Sequence, residues 1–221
     1  MYKEEYFTPT DIQEISREML TTLLPYRKRH GLQAFDVQKA ALLVLDMQQF
    51  FLNPSSHAFI PSGPAILPRI MRLVRTFEEQ QRLLILTRHI NSEGDARLMS
   101  RWWQDLIRNE SPLSRLVGEL DNPARMVICK SQYDAFYGTS LETILKDAGI
   151  EQVLISGVMT HLCCETTARS AFIRGLEVFV TIDGMATYTR AFHEAALLNL
   201  SHGFAVPMLV DEIEELIHEG K

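Results

Sequence analysis

Only three cysteines occur in the 221 residues, Cys129, Cys163 and Cys164. Two are adjacent and would bridge only through a strained ring, so free thiols are expected rather than a disulfide framework. No apolar run approaches the roughly 20 residues of a membrane span. The start, MYKEEYFTPTDIQE, is charged and has no signal-peptide core, so a cytoplasmic protein is expected. Neither sign of charge dominates: 28 acidic and 22 basic side chains give a net −6 spread along the chain. That balance argues against nucleic acid or an anionic membrane as partner. Neither GxGxxG nor GxxxxGK followed by Ser or Thr occurs, which argues against a nucleotide binder. HxxxH and CxxC are also missing, so neither a dedicated metal site nor a cofactor is expected.

What is present is a series of short apolar runs: AALLVLDM (40–47), RLLILTRH (82–89), ARMVICK (124–130), QVLISGV (152–158), LEVFVTID (176–183) and FAVPMLV (204–210). Runs of this length suit strands buried on both faces of a parallel sheet. Amphipathic stretches lie between them, at 63–80, 139–150, 161–174 and 191–203. Thr139 with Glu142 has the spacing of a capping box, and Gly149 and Gly203 stand where helices would stop. Alternation of strand and helix predicts an α/β fold with an open, doubly wound parallel sheet of about six strands, a Rossmann-like three-layer α/β/α sandwich. Residues 1–35 stand outside this alternation. Ile12, Ile15, Met19 and Leu23 recur at helical spacing there, which predicts an N-terminal helical extension ahead of a domain at 36–221.

Ligands of open α/β sheets bind beyond the carboxyl ends of the strands. The polar residues that end the runs are Asp46 and Gln48, Arg88 and His89, Lys130, the segment from Gly157 to Cys163, and Asp183. A carboxylate directly after ALLVL and a lysine directly after VIC would each be costly to bury alone. As an ion pair, Asp46 and Lys130 explain each other. His57, His193, His202 and His218 fall on polar loops or helix faces and read as ordinary surface or supporting residues.

GVMTHLCCET places Cys163 beside Cys164. On a helix starting near Thr160, Cys164 aligns with Ala168, Ala171 and Phe172, a face suited to packing on the sheet. Cys163 aligns with Thr167, Ser170 and Arg174 and lies in the first turn. There the helix dipole and a nearby lysine are expected to lower a thiol pKa, which selects Cys163 as the nucleophile and leaves Cys164 to packing. Structural cysteines remain the competing reading.

ALLVLDMQQFF, VICKSQYDAFYGTSLETIL, GVMTHLCCETTARSAFIRG and VFVTIDGMAT together resemble the isochorismatase-like cysteine hydrolases, a family that includes nicotinamidases, carbamoylsarcosine amidases and isochorismatases. The resemblance covers roughly residues 37–212. It implies a catalytic triad of Asp46, Lys130 and Cys163, a cis peptide at Val158–Met159, and an oxyanion hole from the Met159 and Cys163 backbone N–H groups. Nicotinamidases of that family hold a metal through Asp-x-His after the second strand; LTRHINSEG has no such arrangement, which argues against nicotinamide.

The expected activity is metal-independent hydrolysis of a small amide, ureido or carbamoyl compound through a Cys163 thioester. The segments KSQYDAF and GVMTH also resemble true isochorismatases, so the alternative is vinyl ether hydrolysis with Asp46 as general acid. Those enzymes carry a small residue where Cys163 stands. A third reading is a catalytically silent binding or assembly domain. Gln48, Arg88, Tyr133 and Phe136 are nominated as substrate contacts, with Trp102 or Trp103 as lid residues. Beyond a small-molecule substrate, a homo-oligomer is expected; the apolar helix near residues 12–24 would allow association, although plain packing on the domain is its favoured reading and a lid is a further one.

Overall fold

Six parallel strands form one sheet in the order β3-β2-β1-β4-β5-β6 in a computed structural model that describes residues 2–27, 35–103 and 105–219. They are β1 (Ala40–Leu45), β2 (Leu84–His89), β3 (Met126–Lys130), β4 (Gln152–Val158), β5 (Glu177–Ala186) and β6 (Val206–Met208). Each matches one of the six apolar runs. The helices are α1 (Ile12–Arg27), α2 (Gln49–Leu52), α3 (Gly63–Glu79), α4 (Met99–Trp102), α5 (Leu141–Asp147), α6 (Glu165–Ile173), α7 (Arg190–Gly203) and α8 (Val210–Glu219). α3 and α8 pack on each other and on β5; α1, α6 and α7 form the second helical group, which also meets β5. The result is the expected three-layer α/β sandwich. No helix among the described residues is long and apolar enough to cross a membrane.

The strand order reverses between β1 and β4, so their carboxyl ends open the crevice where ligands of such sheets bind. These two strands are in register from Ala40↔Gln152 to Leu45↔Gly157. Gly157 has φ +112, and a Cβ there would lie 2.1 Å from the Leu45 carbonyl oxygen. Glycine thus lets β4 run flush against β1 at the crevice.

Several local readings need correction. β3 is the sheet edge, so Met126 and Val127 are exposed and Cys129 faces out, where a run buried on both faces was expected. The capping box at Thr139 does not form. Its hydroxyl donates to the Ala135 carbonyl at 2.6 Å and accepts from Leu141 N–H, while Glu142 pairs with Arg174. Asp183 is not a strand end, because β5 continues to Ala186. It is buried, pairs with Arg69 at 3.0 Å and accepts from Val210 N–H at the start of α8.

The N-terminal residues share the main core. α1 buries Ile12, Ser16, Met19 and Leu23, with Ile15 only partly covered. Ahead of it, Phe7 is fully buried, and the Tyr6 and Phe7 N–H groups both donate to the Ser62 hydroxyl. Tyr6 Oη accepts from Thr187 N–H, and Glu4 N–H donates to the Tyr188 carbonyl, so the segment is stitched to the end of β5. The boundary expected near residue 35 borders residues 28–34, which lie outside the described residues. Phe7→Ala removes a fully enclosed ring and should cost about 3–5 kcal/mol in chemical denaturation. A loss below about 1 kcal/mol, the range of a surface substitution, would show that this segment is peripheral.

Candidate active site

Asp46 follows β1 with φ +51, a left-handed conformation that aspartate tolerates better than most residues, and it turns the chain out of the sheet. Its side chain is fully buried. Thr87, on the neighbouring strand, donates to Asp46 Oδ1 at 2.6 Å and accepts from Asp46 N–H at 3.1 Å. One strand further out, Lys130 stands beside His89 in the β2–β3 register. Lysine is long enough to reach back across β2, and its Nζ lies 2.7 Å from Asp46 Oδ2 with both side chains inaccessible to solvent.

That ammonium has three N–H bonds and four neighbours: Asp46 Oδ2 at 2.7 Å, the Gln132 carbonyl at 3.0 Å, Cys163 Sγ at 3.3 Å and His89 Nδ1 at 3.4 Å. It cannot aim at all four. Asp46 Oδ2 has the ammonium as its close partner, at 2.7 Å, and Cys163 as a second neighbour. A carboxylate oxygen has two lone pairs, so one can face the ammonium and the other the thiol. Burial alone would raise the Asp46 pKa, but Lys130, His89 and the Thr87 hydroxyl together hold it below the ordinary carboxylate range. Burial would likewise lower the Lys130 pKa; Asp46 and Cys163 outweigh it and push it up.

The cysteines sit on a π-turn, Thr160–Cys164, that leads into α6, rather than on the α-helix expected from Thr160. The preceding Val158–Met159 peptide is cis. Thr160 is pinned by His193, whose Nδ1 lies 2.8 Å from the Thr160 hydroxyl and whose Nε2 lies 3.2 Å from the Ile182 carbonyl. The carbonyl requires Nε2 to donate, so Nδ1 accepts from Thr160. His193 is fully buried, which lowers its pKa to about 3, so the surface reading of this histidine is corrected.

Cys164, Ala168 and Ala171 are fully buried, but Phe172 is half exposed: the buried arc of α6 runs through Thr167 and Ala171 and leaves Phe172 at its margin. Cys163 is also buried apart from the face it turns to a cavity. The expected lowering of its thiol pKa is overturned. Burial pushes the thiol up to about 12, Lys130 opposes this, and Asp46 reinforces it.

The cavity, about 260 Å³, is lined by Cys163, Met159, His89, Asn91, Tyr133 and Trp103, with Phe51, Ile107 and Tyr188 among the apolar walls. Trp103 donates from its indole N–H to Tyr133 Oη at 2.7 Å, so both stand at one wall, whereas Trp102 is solvent-exposed. Three nominated substrate contacts are directed elsewhere. Gln48 is fully buried and clamps the backbone of β2, accepting from His89 N–H and donating to the His89 and Ser114 carbonyls. Arg88 donates to the Ser114 carbonyl and hydroxyl. Phe136 packs under the Arg174 guanidinium, 4.6 Å away. Residues of alternate orientation on a strand cannot be assigned to a face from the run alone, and Arg88 and His89 exchanged places for that reason.

His89, named as a polar strand end but not nominated as a site residue, completes the cluster. Asn91 donates from Nδ2 to the Ser131 carbonyl, which fixes its amide and leaves Oδ1 facing His89 Nε2 at 2.9 Å. His89 Nε2 must then carry the proton, so Nδ1 offers its lone pair to Lys130. Burial and the Lys130 charge lower the His89 pKa to about 4, keeping the ring neutral. The run itself held no signal for this, because the His89↔Lys130 register exists only in the folded sheet.

Asp46, His89 and Cys163 present ligand atoms within 4.8 Å of one another. The Lys130 ammonium already stands between them, and a divalent ion at their common centre would have to displace it. His89 and Asn91, at the end of β2, are bonded to each other. These residues do not fit the metal centre of the nicotinamidase type.

Residues 40–212 match the isochorismatase domain family. Nicotinamidase 3 of Arabidopsis thaliana is 36% identical over 180 residues, which cover 79% of this chain and 86% of that protein. Enterobactin synthase component B of Escherichia coli (strain K12) is 31% identical over 171 residues, 74% of this chain but only 58% of that protein. Among solved structures, a cysteine hydrolase from Pseudomonas syringae pv. phaseolicola superposes with a TM-score of 0.79 over 86% of this chain and 97% of that one; at 22% identity this is a likeness of fold.

Breaking a buried ion pair from one side strands the other charge. Asp46→Asn should therefore cost about 3–5 kcal/mol, and adding Lys130→Met should recover much of it in a double-mutant cycle. Because the Asp46 pKa is depressed in the folded state, its contribution is present above the ordinary carboxylate range and is lost as pH falls through the depressed value. Urea titrations across that acid range should show this limb in the wild type and lack it in the double variant; additive losses and identical pH dependence would contradict the pairing.

Proposed function

The chain belongs to the isochorismatase-like hydrolase family, and on that footing we propose that it is a metal-independent cysteine hydrolase acting on a small amide, ureido or carbamoyl compound. The observation that carries this reading is the position of Lys130 Nζ, 2.7 Å from Asp46 and 3.3 Å from Cys163, in a buried cluster whose thiol faces a cavity. A structural cysteine has no need of such company.

The sequence of events follows from the electrostatics. The resting thiol is protonated, and the carboxylate is too weak a base to ionise it outright. Proton transfer to Asp46 Oδ2 therefore accompanies formation of the bond from Sγ to the substrate carbonyl carbon. The carbonyl electron pair moves to oxygen, where the Met159 and Cys163 N–H groups are assigned as donors. Asp46 then gives its proton to the departing nitrogen as the C–N bond breaks, leaving a thioester. Water, losing a proton to Asp46, attacks the thioester carbon, and Cys163 leaves as thiolate and recovers that proton. Lys130 stays charged throughout and stabilises the thiolate character of each step. His89, neutral and held by Asn91, keeps the ammonium in place without adding a second charge.

The vinyl ether alternative requires Asp46 to carry a proton at rest. Its contact with Lys130 keeps it ionised, which counts against that role.

Ammonia release from a panel of small amides, ureides and carbamoyl compounds, nicotinamide included, should be abolished by Cys163→Ala and retained by Cys164→Ala, whose loss should appear in thermal stability instead. Intact mass in the presence of a turned-over substrate should show an acyl adduct on Cys163, released by hydroxylamine. Turnover that survives Cys163→Ala would refute the covalent route; isochorismate as the substrate so consumed would favour the vinyl ether reading.

A further inference from the structure

We propose that the N-terminal segment builds a carboxylate subsite into this cavity, with Lys3 binding the anionic end of a substrate whose carbonyl faces Cys163. The assignment rests on the hydrolase reading of the cavity and adds to it the class of substrate.

Lys3 lines the same cavity as Cys163, although it lies far outside residues 40–212 that carry the family match. Its position is enforced by the residues that follow it. Glu4 N–H is bonded to Tyr188, Tyr6 and Phe7 are buried, and Ser62 takes both of their N–H groups. The ammonium itself is fixed on three sides. It donates to the His57 carbonyl at 2.5 Å and to the Phe59 carbonyl at 2.8 Å, and it sits 4.5 Å from the centre of the Tyr188 ring, another wall of the cavity.

What it lacks is a counter-charge. Lys3 forms no ion pair among the described residues, and Glu4, the acid next to it in the chain, accepts from Arg190 N–H instead. The other charged group on the cavity wall, Asp105, is exposed and has its own partner, His57, at 3.5 Å. A partly buried ammonium held still, with one N–H left to give and no acid beside it, is suited to an anion arriving with the substrate. A single free N–H without a neighbouring Arg favours a monoanion, a carboxylate, over a phosphate, which calls for more donors.

Matched pairs differing only in charge test this: succinamate, glutaramate and adipamate against succinamide, glutaramide and adipamide. Binding measured by calorimetry needs no turnover. In the wild type the best carboxylate should bind roughly tenfold to a hundredfold tighter than its diamide. The ratio should fall toward one in Lys3→Met and Lys3→Gln and recover in Lys3→Arg, with melting curves confirming that each variant is folded. A ratio near one in the wild type, a ratio unchanged in both neutral variants, or binding by no member of either series would overturn the assignment. Ammonia release that depends on Cys163 but shows no preference for charge would overturn the Lys3 subsite alone. Charge-selective binding without such release would overturn the reaction alone.

Discussion

The contact between Asp46 and Lys130 organises everything around it. A carboxylate and an ammonium that never meet solvent are each intolerable alone, so their burial imposes conditions on three strands at once. β1 must end in a left-handed turn, Thr87 of β2 must satisfy one carboxylate oxygen, and β3 must stand in a register that lets Lys130 reach across. The charges also set the state of the thiol. Cys163 is kept protonated by burial while a cation and a weakly basic oxygen are held at its side. The proposed mechanism accordingly couples proton movement to bond formation rather than starting from a free thiolate.

Around this cluster the polar groups are arranged to remove freedom. Gln48 clamps the backbone of β2, Asn91 fixes the tautomer of His89, and His193 ties the π-turn to β5 through Thr160. None of these side chains needs to touch a substrate to matter. Each removes an alternative position for Lys130 or Cys163, and in a low-dielectric site small displacements of charge have large effects. The segment ahead of α1 belongs to the same design: by burying Tyr6 and Phe7 it carries Lys3 to the cavity wall.

The architecture was legible because its cause is local. Six apolar runs separated by amphipathic stretches admit few arrangements once crossovers are right-handed. Asp46 and Lys130 stood out for the same reason, since each interrupts a run where a charge needs an explanation. Helical phase grouped Cys164 with Ala168 and Ala171, which are all fully buried, but it set Cys163, Thr167 and Ser170 off the packed face, and these are buried as well. Phe172, eight residues beyond Cys164, lay near the edge of the buried arc, where small errors of phase change the outcome.

The contacts that only tertiary structure decided are those joining residues distant in sequence. Whether Gln48 faces the cavity or grips β2, and whether Arg88 or His89 points inward, depends on neighbours contributed by the 107–116 loop and by β3. No pattern within either segment encodes that choice. The thiol pKa is likewise collective: proximity to a helix start suggested a lowered value, but desolvation by the assembled domain raised it. Lys3 is the extreme case, an ordinary residue near the start of the chain that joins the wall of the Cys163 cavity only when the fold is closed. Composition and periodicity determined which layers form and which charges must pair, because burial of each run is a local requirement; the walls of the cavity were decided by the meeting of surfaces that the chain order keeps apart.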